Sequence, residues 1–147
     1  VIVLVNKWDL IKERRVAAEK LLDQTTLKLK FLEYAPKLFI SARTGQGMLR
    51  VFQVIREVAE ARCQRIPTAE LNRFLRTVKV ERVPLPASRQ MKIYYMTQAG
   101  VSPPTFILFT DKKGPLHFSL ERFLINQLRR KYGFKGTPIV IQQRLHH

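Results

Sequence analysis

A short polar segment follows the apolar run at the beginning of the chain. The apolar residues Val1 to Val5 continue without alternation and end in Asn6, Lys7, Trp8 and Asp9. An unbroken apolar run rich in β-branched residues predicts a strand buried on both faces, as in a parallel sheet. Polar groups at the carboxyl end of such a strand lie where open α/β sheets bind ligands. The sequence therefore predicts a ligand site at this position.

The side chains of this segment can recognise a guanine base. Asp9 can accept two hydrogen bonds, and guanine offers a ring N–H and an exocyclic amine on one edge, a pair of donors that adenine lacks. Asn6 can both donate and accept, and Lys7 can lay its alkyl stem over the ring. Asn-Lys-x-Asp here resembles the guanine-recognition motif of GTPases, and we expect Trp8 to pack on the scaffold. A simple polar turn after a strand is the alternative.

A second polar turn follows another apolar strand. Residues 37–40 predict that strand, and Ser41 and Ala42 come at its end. The interval leaves room for one helix, predicted over Val16–Tyr34, so the two strands form a parallel βαβ unit. Ser-Ala at this place resembles the last motif of GTPases. The resemblance implies that a backbone N–H of this Ser-Ala segment approaches the guanine oxygen and that the Ser41 hydroxyl steadies Asp9.

Residues 1–64 thus have the order strand, helix, strand, helix, with the second helix predicted to end near Arg62. This α/β order resembles the C-terminal part of a P-loop GTPase domain. No G-x-x-x-x-G-K-[ST] phosphate loop occurs in the sequence, and phosphoryl transfer depends on such positioning groups. We expect this chain alone not to hydrolyse GTP and to bind guanine nucleotides poorly. We also expect an exposed sheet edge and exposed apolar surface in this part.

The charge of the chain points to a polyanionic partner. The 147 residues carry a formal net charge of +16, and 46% of them are hydrophobic, enough for a buried core. Residues 1–65 contain 13 Lys and Arg against 7 Asp and Glu, and residues 66–147 contain 14 against 4. This excess favours nucleic acid first and an acidic membrane second. The sequence has no stretch apolar enough to span a membrane, and the single Cys63 excludes an internal disulfide.

Residues 65–144 predict a separate small α+β domain. The predicted order is helix, strand, strand, helix, strand, which resembles the KH-like fold. Thr68 is the expected N-cap of the first helix, and Ser119 that of the second. The predicted elements are a helix from Thr68 to about Lys79, strands over 91–96 and 105–110 joined by a somewhat long loop, a helix over 119–132, and a strand over 138–142.

The second helix of this domain carries a basic stripe. Arg122, Asn126, Arg129 and Arg130 lie opposite its apolar side and can follow nucleic-acid phosphates. A solvated helix face is the alternative. The segment Gly133–Gly136 has the G-x-x-G form of the KH nucleic-acid loop, but it joins a helix to a strand instead of two helices. We therefore interpret it as a helix-ending glycine followed by a turn glycine.

Taken in order, these segments resemble the end of the Der (EngA) family of bacterial GTPases, which have two tandem G domains and a C-terminal KH-like domain. The resemblance covers nearly the whole chain. It implies a cytoplasmic protein with GTP or GDP as cofactor, and with Mg²⁺ held by residues absent here. It implies assembly of the large (50S) ribosomal subunit as the role, rRNA and the G domains in cis as partners, and no membrane. Asn6, Lys7 and Asp9 would bind guanine, supported by Ser41 and Ala42.

Two other functions stay open at this point. The chain could be a non-enzymatic RNA-binding module, or its basic domain could dock on the G domains of the same protein. The absence of an initiating Met and the start in mid-strand predict a fragment of a longer protein. Residues 145–147 are predicted to be the remnant of a purification tag.

Overall fold

The computed structural model describes residues 1–86 and 90–146, which form two compact units. Unit 1 contains residues 1–61 and 135–137, and unit 2 contains residues 62–134 and those from 138 onward. The helices and strands follow in the order β1 (Val3–Val5), α1 (Arg14–Lys28), β2 (Lys37–Phe39), α2 (Met48–Cys63), α3 (Thr68–Thr77), β3 (Ile93–Val101), β4 (Pro104–Thr110), α4 (Phe118–Tyr132) and β5 (Val140–Leu145). The fold is mixed α/β with two small sheets in the described part of the chain.

In unit 1, β1 and β2 pair in parallel, with Val3 beside Lys37 and Val5 beside Phe39. The prediction that the first strand is buried on both faces was wrong. Leu4 keeps 44% of its surface exposed, and its two neighbours in β1 are only half-buried. The physical reason is that this sheet has two strands among the described residues, so it offers little surface to cover them.

The helices of unit 1 bury little of their apolar surface. α2 buries Val51 and Val54 but leaves Leu49, Phe52 and Ile55 exposed, so the predicted apolar surface is present. α1 buries none of its residues and ends at Lys28, six residues before the predicted end. The chain leaves the helical conformation at Leu29 and then makes a separate 3-10 turn over Lys30–Leu32.

In unit 2, β4 lies between an antiparallel β3 and a parallel β5. One face of this sheet packs with α3 and α4 around the core. The core contains Leu71, Phe74, Met96, Phe106, Leu108, Leu120, Leu124, Leu128, Phe134 and Ile141. At the edge of the sheet, the Asn72 side chain accepts a hydrogen bond from the Met96 N–H at 3.0 Å. The free edge of β3 is therefore partly covered by a helix side chain.

Three local predictions for unit 2 need correction. β3 continues to Val101, so only Ser102 and Pro103 join it to β4, and the predicted long loop is wrong. Pro67, not Thr68, is the N-cap of α3. His117, not Ser119, is the N-cap of α4, and its ring Nδ1 accepts the Ser119 N–H at 3.3 Å. The register shift between Gln98 and Gly100 lets β3 extend further than its apolar pattern indicated.

The ends of the elements also differ from the sequence prediction in unit 2. α4 ends at Tyr132, and Gly133 ends it as predicted, with a positive φ of 85° that favours glycine. β5 begins at Val140 and continues through Leu145, one residue past the predicted domain boundary. His147, the last residue of the predicted tag remnant, lies outside the described residues.

Candidate functional site

The ends of β1 and β2 bring the two predicted motif segments together. Because the strands are parallel and Val5 pairs with Phe39, the residues that follow each strand meet at one edge of the sheet. The main chain links the two segments directly, since the Trp8 N–H donates to the Ile40 carbonyl at 3.0 Å. The Trp8 ring is buried against Phe39, with ring centroids 4.2 Å apart, which confirms that it packs on the scaffold.

Asn6 connects its own loop to the second segment. Its Oδ1 accepts hydrogen bonds from the N–H of Lys7 at 2.7 Å and from the N–H of Ala42 at 3.0 Å. Lys7 is held with φ 63°, in the left-handed region that residues other than glycine seldom adopt. The amide oxygen of Asn6 is therefore engaged in holding the loop, while Lys7 stays exposed.

Asp9 is held by groups from the second segment. Its Oδ1 accepts a hydrogen bond from the Ser41 hydroxyl at 2.6 Å, and Ser41 is completely buried. Its Oδ2 accepts from the Arg43 guanidinium, at 2.7 Å from Nη2 and 3.2 Å from Nε. The hydrogen bond from Ser41, followed by those from Arg43, lowers the pKa of the Asp9 carboxyl below 3.8. Asp9 is therefore ionised and acts only as an acceptor at neutral pH.

Arg43 is the site residue that sequence reasoning did not identify. Its guanidinium presents N–H donors to the same carboxylate that was predicted to accept donors from guanine. Its side chain is 77% exposed, whereas that of Asp9 is 12% exposed. The arginine reaches the carboxylate from the solvent side, so a ligand that offers N–H donors to Asp9 can take its place. The signal in the sequence was a cation directly after the Ser-Ala pair.

Four of the five predicted guanine-binding residues line one concave surface. A shallow cavity of about 400 Å³ is bounded by Asn6, Lys7, Asp9, Leu10, Ala42 and Arg43. Ser41 lies beneath this cavity and reaches it through Asp9. The structure thus brings together all five residues that the sequence nominated for a guanine base. The cavity wall thus contains the Asp9 carboxylate as an acceptor, the exposed cations Lys7 and Arg43, and the main chain of Ala42.

The predicted basic stripe on α4 is only partly available. Arg122, Asn126 and Arg130 are exposed. Arg129 is half-buried, and its Nη1 donates to the Phe134 carbonyl at 2.8 Å. Phe134 itself is buried in the core with φ 54°. The segment after α4 is thus held by core packing and by Arg129, in agreement with its interpretation as a helix end.

Two kinds of feature are absent from the described residues. No helix in these ranges is both long and apolar enough to cross a membrane. Within the same residues, no group of three or more His, Cys, Asp or Glu side chains is arranged to hold a metal ion.

The comparison with protein families defines the class of this chain. Residues 65–144 match the family described as the KH-domain-like region of EngA bacterial GTPase enzymes, C-terminal. This match spans more than half of the chain, and the chain therefore belongs to that family. Unit 2 accordingly has a KH-like fold.

The curated relatives extend the similarity to nearly the whole chain. The chain is 43% identical to GTPase Der of Ruminiclostridium cellulolyticum over 139 residues, which are 94% of this chain and 32% of that protein. It is 42% identical to GTPase Der of Lactobacillus johnsonii over 145 residues, 98% of this chain and 33% of that protein. It is 44% identical to GTPase Der of Acetivibrio thermocellus over 139 residues, 94% of this chain and 32% of that protein. The chain spans about a third of the length of these relatives.

Proposed function

We propose that this chain is the C-terminal part of a GTPase of the Der type, with residues 1–64 from its second G domain and residues 65–144 as its KH-like domain. The guanine base would lie over the cavity at the ends of β1 and β2. The observation that carries this proposal is the pair of hydrogen bonds that join the two motif segments: the Ala42 N–H donates to Asn6, and the Ser41 hydroxyl donates to Asp9. These hydrogen bonds fix the orientation of the Asn6 and Asp9 side chains before the base binds.

In this proposal each residue has a separate task. The Asp9 carboxylate accepts the ring N–H and the exocyclic amine of guanine once Arg43 moves aside. The Ala42 N–H, which donates to Asn6 in this structure, would share its hydrogen with the guanine oxygen, and the Lys7 stem would cover one face of the ring. Ser41 and Asn6 position these groups. GTP hydrolysis itself would depend on a phosphate loop and on Mg²⁺ ligands outside this chain.

The base assignment is tested by changing the acceptor in the full-length protein. Xanthine has an oxygen where guanine has its exocyclic amine, and an Asn side chain can accept the ring N–H while donating to that oxygen. We expect Asp9→Asn to weaken GTP binding and hydrolysis at least ~100-fold and to raise the preference for XTP, since a mismatched hydrogen-bonding site rejects its ligand strongly.

The control for this experiment is Asp23→Asn, which makes the same chemical change at an exposed position on α1. It should leave the ratio of GTP to XTP turnover unchanged. Equal loss of both nucleotides in Asp9→Asn, with no change of preference, would contradict a base-binding role for Asp9.

We further propose that the KH-like domain contacts rRNA during assembly of the large ribosomal subunit in the cytoplasm. The support is the excess of 14 Lys and Arg over 4 Asp and Glu in residues 66–147, together with the exposed Arg122 and Arg130 on α4. Arg129 is a poor probe of this contact, because it stabilises the end of α4. A docking surface for the G domains is the second candidate function, favoured by the same positive charge.

Co-sedimentation with purified large ribosomal subunits across a salt series separates these two functions. Replacing Arg122 and Arg130 by Glu should weaken binding. The slope of log K against log salt concentration should also become shallower, by about one for each phosphate that these side chains neutralise in the wild-type complex. The matched control is Arg14→Glu with Arg15→Glu on α1, two exposed arginines in unit 1. Equal effects of the two pairs would assign binding to general charge, and no binding at low salt would favour the docking function.

A further inference from the structure

An irregular position in β3 places two consecutive tyrosines on the same side of the sheet. In a regular strand, Tyr94 and Tyr95 would point to opposite faces. The register shift between Ile93 and Tyr95 changes this, since Ile93 pairs with Thr110 and Tyr95 pairs with Phe109. Both tyrosine rings contact the imidazole of His146, with centroids 4.6 Å and 5.6 Å apart. β-bulges are a recurrent means of re-aiming side chains at functional sites.

The two tyrosines belong to a larger group of rings and cations. Tyr95 stacks on Phe109 with centroids 4.3 Å apart and planes at 15°. Lys92 lies over the Tyr94 ring at 5.3 Å from its centroid, and the exposed Arg144 pairs in register with Phe109. Tyr94 keeps 44% of its surface exposed. Exposed rings flanked by cations are typical of surfaces on which unpaired bases stack.

The same tyrosines border a cavity in unit 2. It has a volume of about 870 Å³ and is lined by residues of α3, of β3 and of the ranges 78–85 and 90–92. Its size is within the range of small-ligand sites. Asn72, Arg76 and Lys92 supply polar groups to its wall, and the other lining residues are mostly apolar. Glu81 is the acidic residue among those that line it, so cations outnumber anions there.

We propose that Tyr94, Tyr95 and this cavity form a binding site for an unpaired RNA segment, with at least one base stacked on the tyrosines. Arg76, Lys92 and Arg144 would neutralise the adjacent phosphates. This inference rests on the proposed rRNA function and goes beyond it, because it names single-stranded RNA as the ligand and a surface other than α4. A base inside a duplex is covered by its neighbours and cannot stack on these rings.

A protein partner is a weaker match to the same surface. Asp111 is the acidic residue that follows β4, and its Oδ1 already accepts the main-chain N–H of Lys92 at 2.8 Å. The nearby Lys92, Lys113 and Arg144 are all exposed. The cations of this surface outnumber the acidic residues Glu81 and Asp111, which favours a phosphate backbone over a mixed protein interface. The G domains of the same protein remain the outcome to be distinguished by experiment.

Fluorescence anisotropy with three RNA probes tests the site. The probes are an unstructured single strand, a duplex of the same length, and a single strand with abasic positions. We expect the intact strand to bind about tenfold or more tightly than the other two, since base stacking supplies this difference. Tyr94→Leu should remove most of this preference, and Tyr94→Phe should keep it. Arg144→Gln should weaken the binding of all three probes, since each has a phosphate backbone.

Two further measurements check that the bases stack on the tyrosines and that His146 is not responsible for binding. NMR should show upfield shifts of the Tyr94 and Tyr95 ring protons on addition of the intact strand but not of the abasic strand. A chain ending at Leu145 should bind like the full chain, and loss of binding there would assign the effect to His146 and overturn the proposal.

The outcomes separate this site from the proposed function. Equal binding of all three probes, unchanged in Tyr94→Leu but weakened by the Arg122 and Arg130 reversals, would overturn the stacking site and leave rRNA contact through α4. Absence of binding to every RNA, together with binding of purified G domains to the wild-type chain but not to Tyr94→Leu, would overturn both and identify a docking surface.

Discussion

At the scale of single residues, both carboxylate oxygens of Asp9 are held by hydrogen bonds. One oxygen accepts the hydroxyl of a fully buried serine, and the other accepts a guanidinium. Both contacts favour the ionised carboxylate. They also fix its orientation, which a site that recognises donors on a base edge requires. The exposed Arg43 can be replaced by a ligand, whereas the buried Ser41 cannot.

This difference leads to a prediction about acidity. Because Ser41 is the largest cause of the lowered pKa of Asp9, Ser41→Ala should move that pKa upward, towards 3.8. A carboxylate with a lowered pKa in the folded state stabilises the fold above its unfolded pKa, and this contribution is lost as the pH falls through the folded value. Carbon-detected NMR titration of the Asp9 carboxyl measures the change.

The same spectra contain an internal reference. The pKa of Glu57 is lowered chiefly by its hydrogen bond with Lys135, at 2.5 Å, and does not involve Ser41. The Glu57 midpoint should therefore stay in place in Ser41→Ala. An unchanged Asp9 midpoint would contradict the assigned cause, and a shift of both carboxyls would indicate a general loss of structure.

At the scale of elements, the loop between β2 and α2 has a position, Gly47, where no side chain fits. Gly47 has φ 81°, and a Cβ built there would lie 2.6 Å from the carbonyl oxygen of Phe39. Gly45 has φ 77°, but a Cβ there would have nothing within 4 Å. The two glycines thus share the left-handed conformation and differ in the space around them. The start of α2 must lie close to the last residue of β2 for Ser41 to reach Asp9.

We therefore expect Gly47→Ala to destabilise unit 1 more than Gly45→Ala does. Both variants share a conformational cost of about 1 kcal/mol, and Gly47→Ala adds an overpacking cost of about 1–3 kcal/mol. Urea unfolding followed by Trp8 fluorescence measures the difference, because Trp8 is the single tryptophan and is buried in unit 1. Equal midpoints for the two variants would show that the loop relaxes away from β2.

At the scale of the whole molecule, positive charge exceeds what the fold neutralises. The chain has 27 Lys and Arg against 11 Asp and Glu. The ion pairs of the described ranges include those of Arg43 with Asp9 and of Arg50 and Lys135 with Glu57. The Lys and Arg side chains in these ranges are mostly exposed. They repel one another, which destabilises the compact state. A polyanionic ligand would relieve this repulsion.

We expect added salt to stabilise the protein for the same reason. Raising NaCl from about 0.01 M to about 0.1 M shortens the screening length from about 30 Å to about 10 Å. The thermal midpoint, followed by circular dichroism, should rise by several degrees. A variant in which the exposed Lys12, Lys20 and Lys113 are replaced by Gln has less repulsion to screen and should respond less. A midpoint that falls with salt in the wild-type chain would contradict this account.

The sequence alone determined the order of the elements and the identity of the five candidate guanine-binding residues. An apolar run that ends in polar residues occurs twice and fixes where the strands stop, since the signal is local and strong. The residue types then limit the chemistry. Helix ends were less predictable. His117 displaced Ser119 as a cap because an imidazole nitrogen can accept the same N–H, which the usual cap preferences do not anticipate.

Only the tertiary structure decided which residues touch. Arg43 binds Asp9, 34 residues away in the sequence. Arg129, predicted to belong to the basic stripe, instead donates a hydrogen bond to the Phe134 carbonyl. The bulge that turns Tyr94 and Tyr95 to the same side, and the cavity beside them, also have no local signal. Such features depend on strand register and on packing between elements distant in sequence, and therefore no period along the chain encodes them.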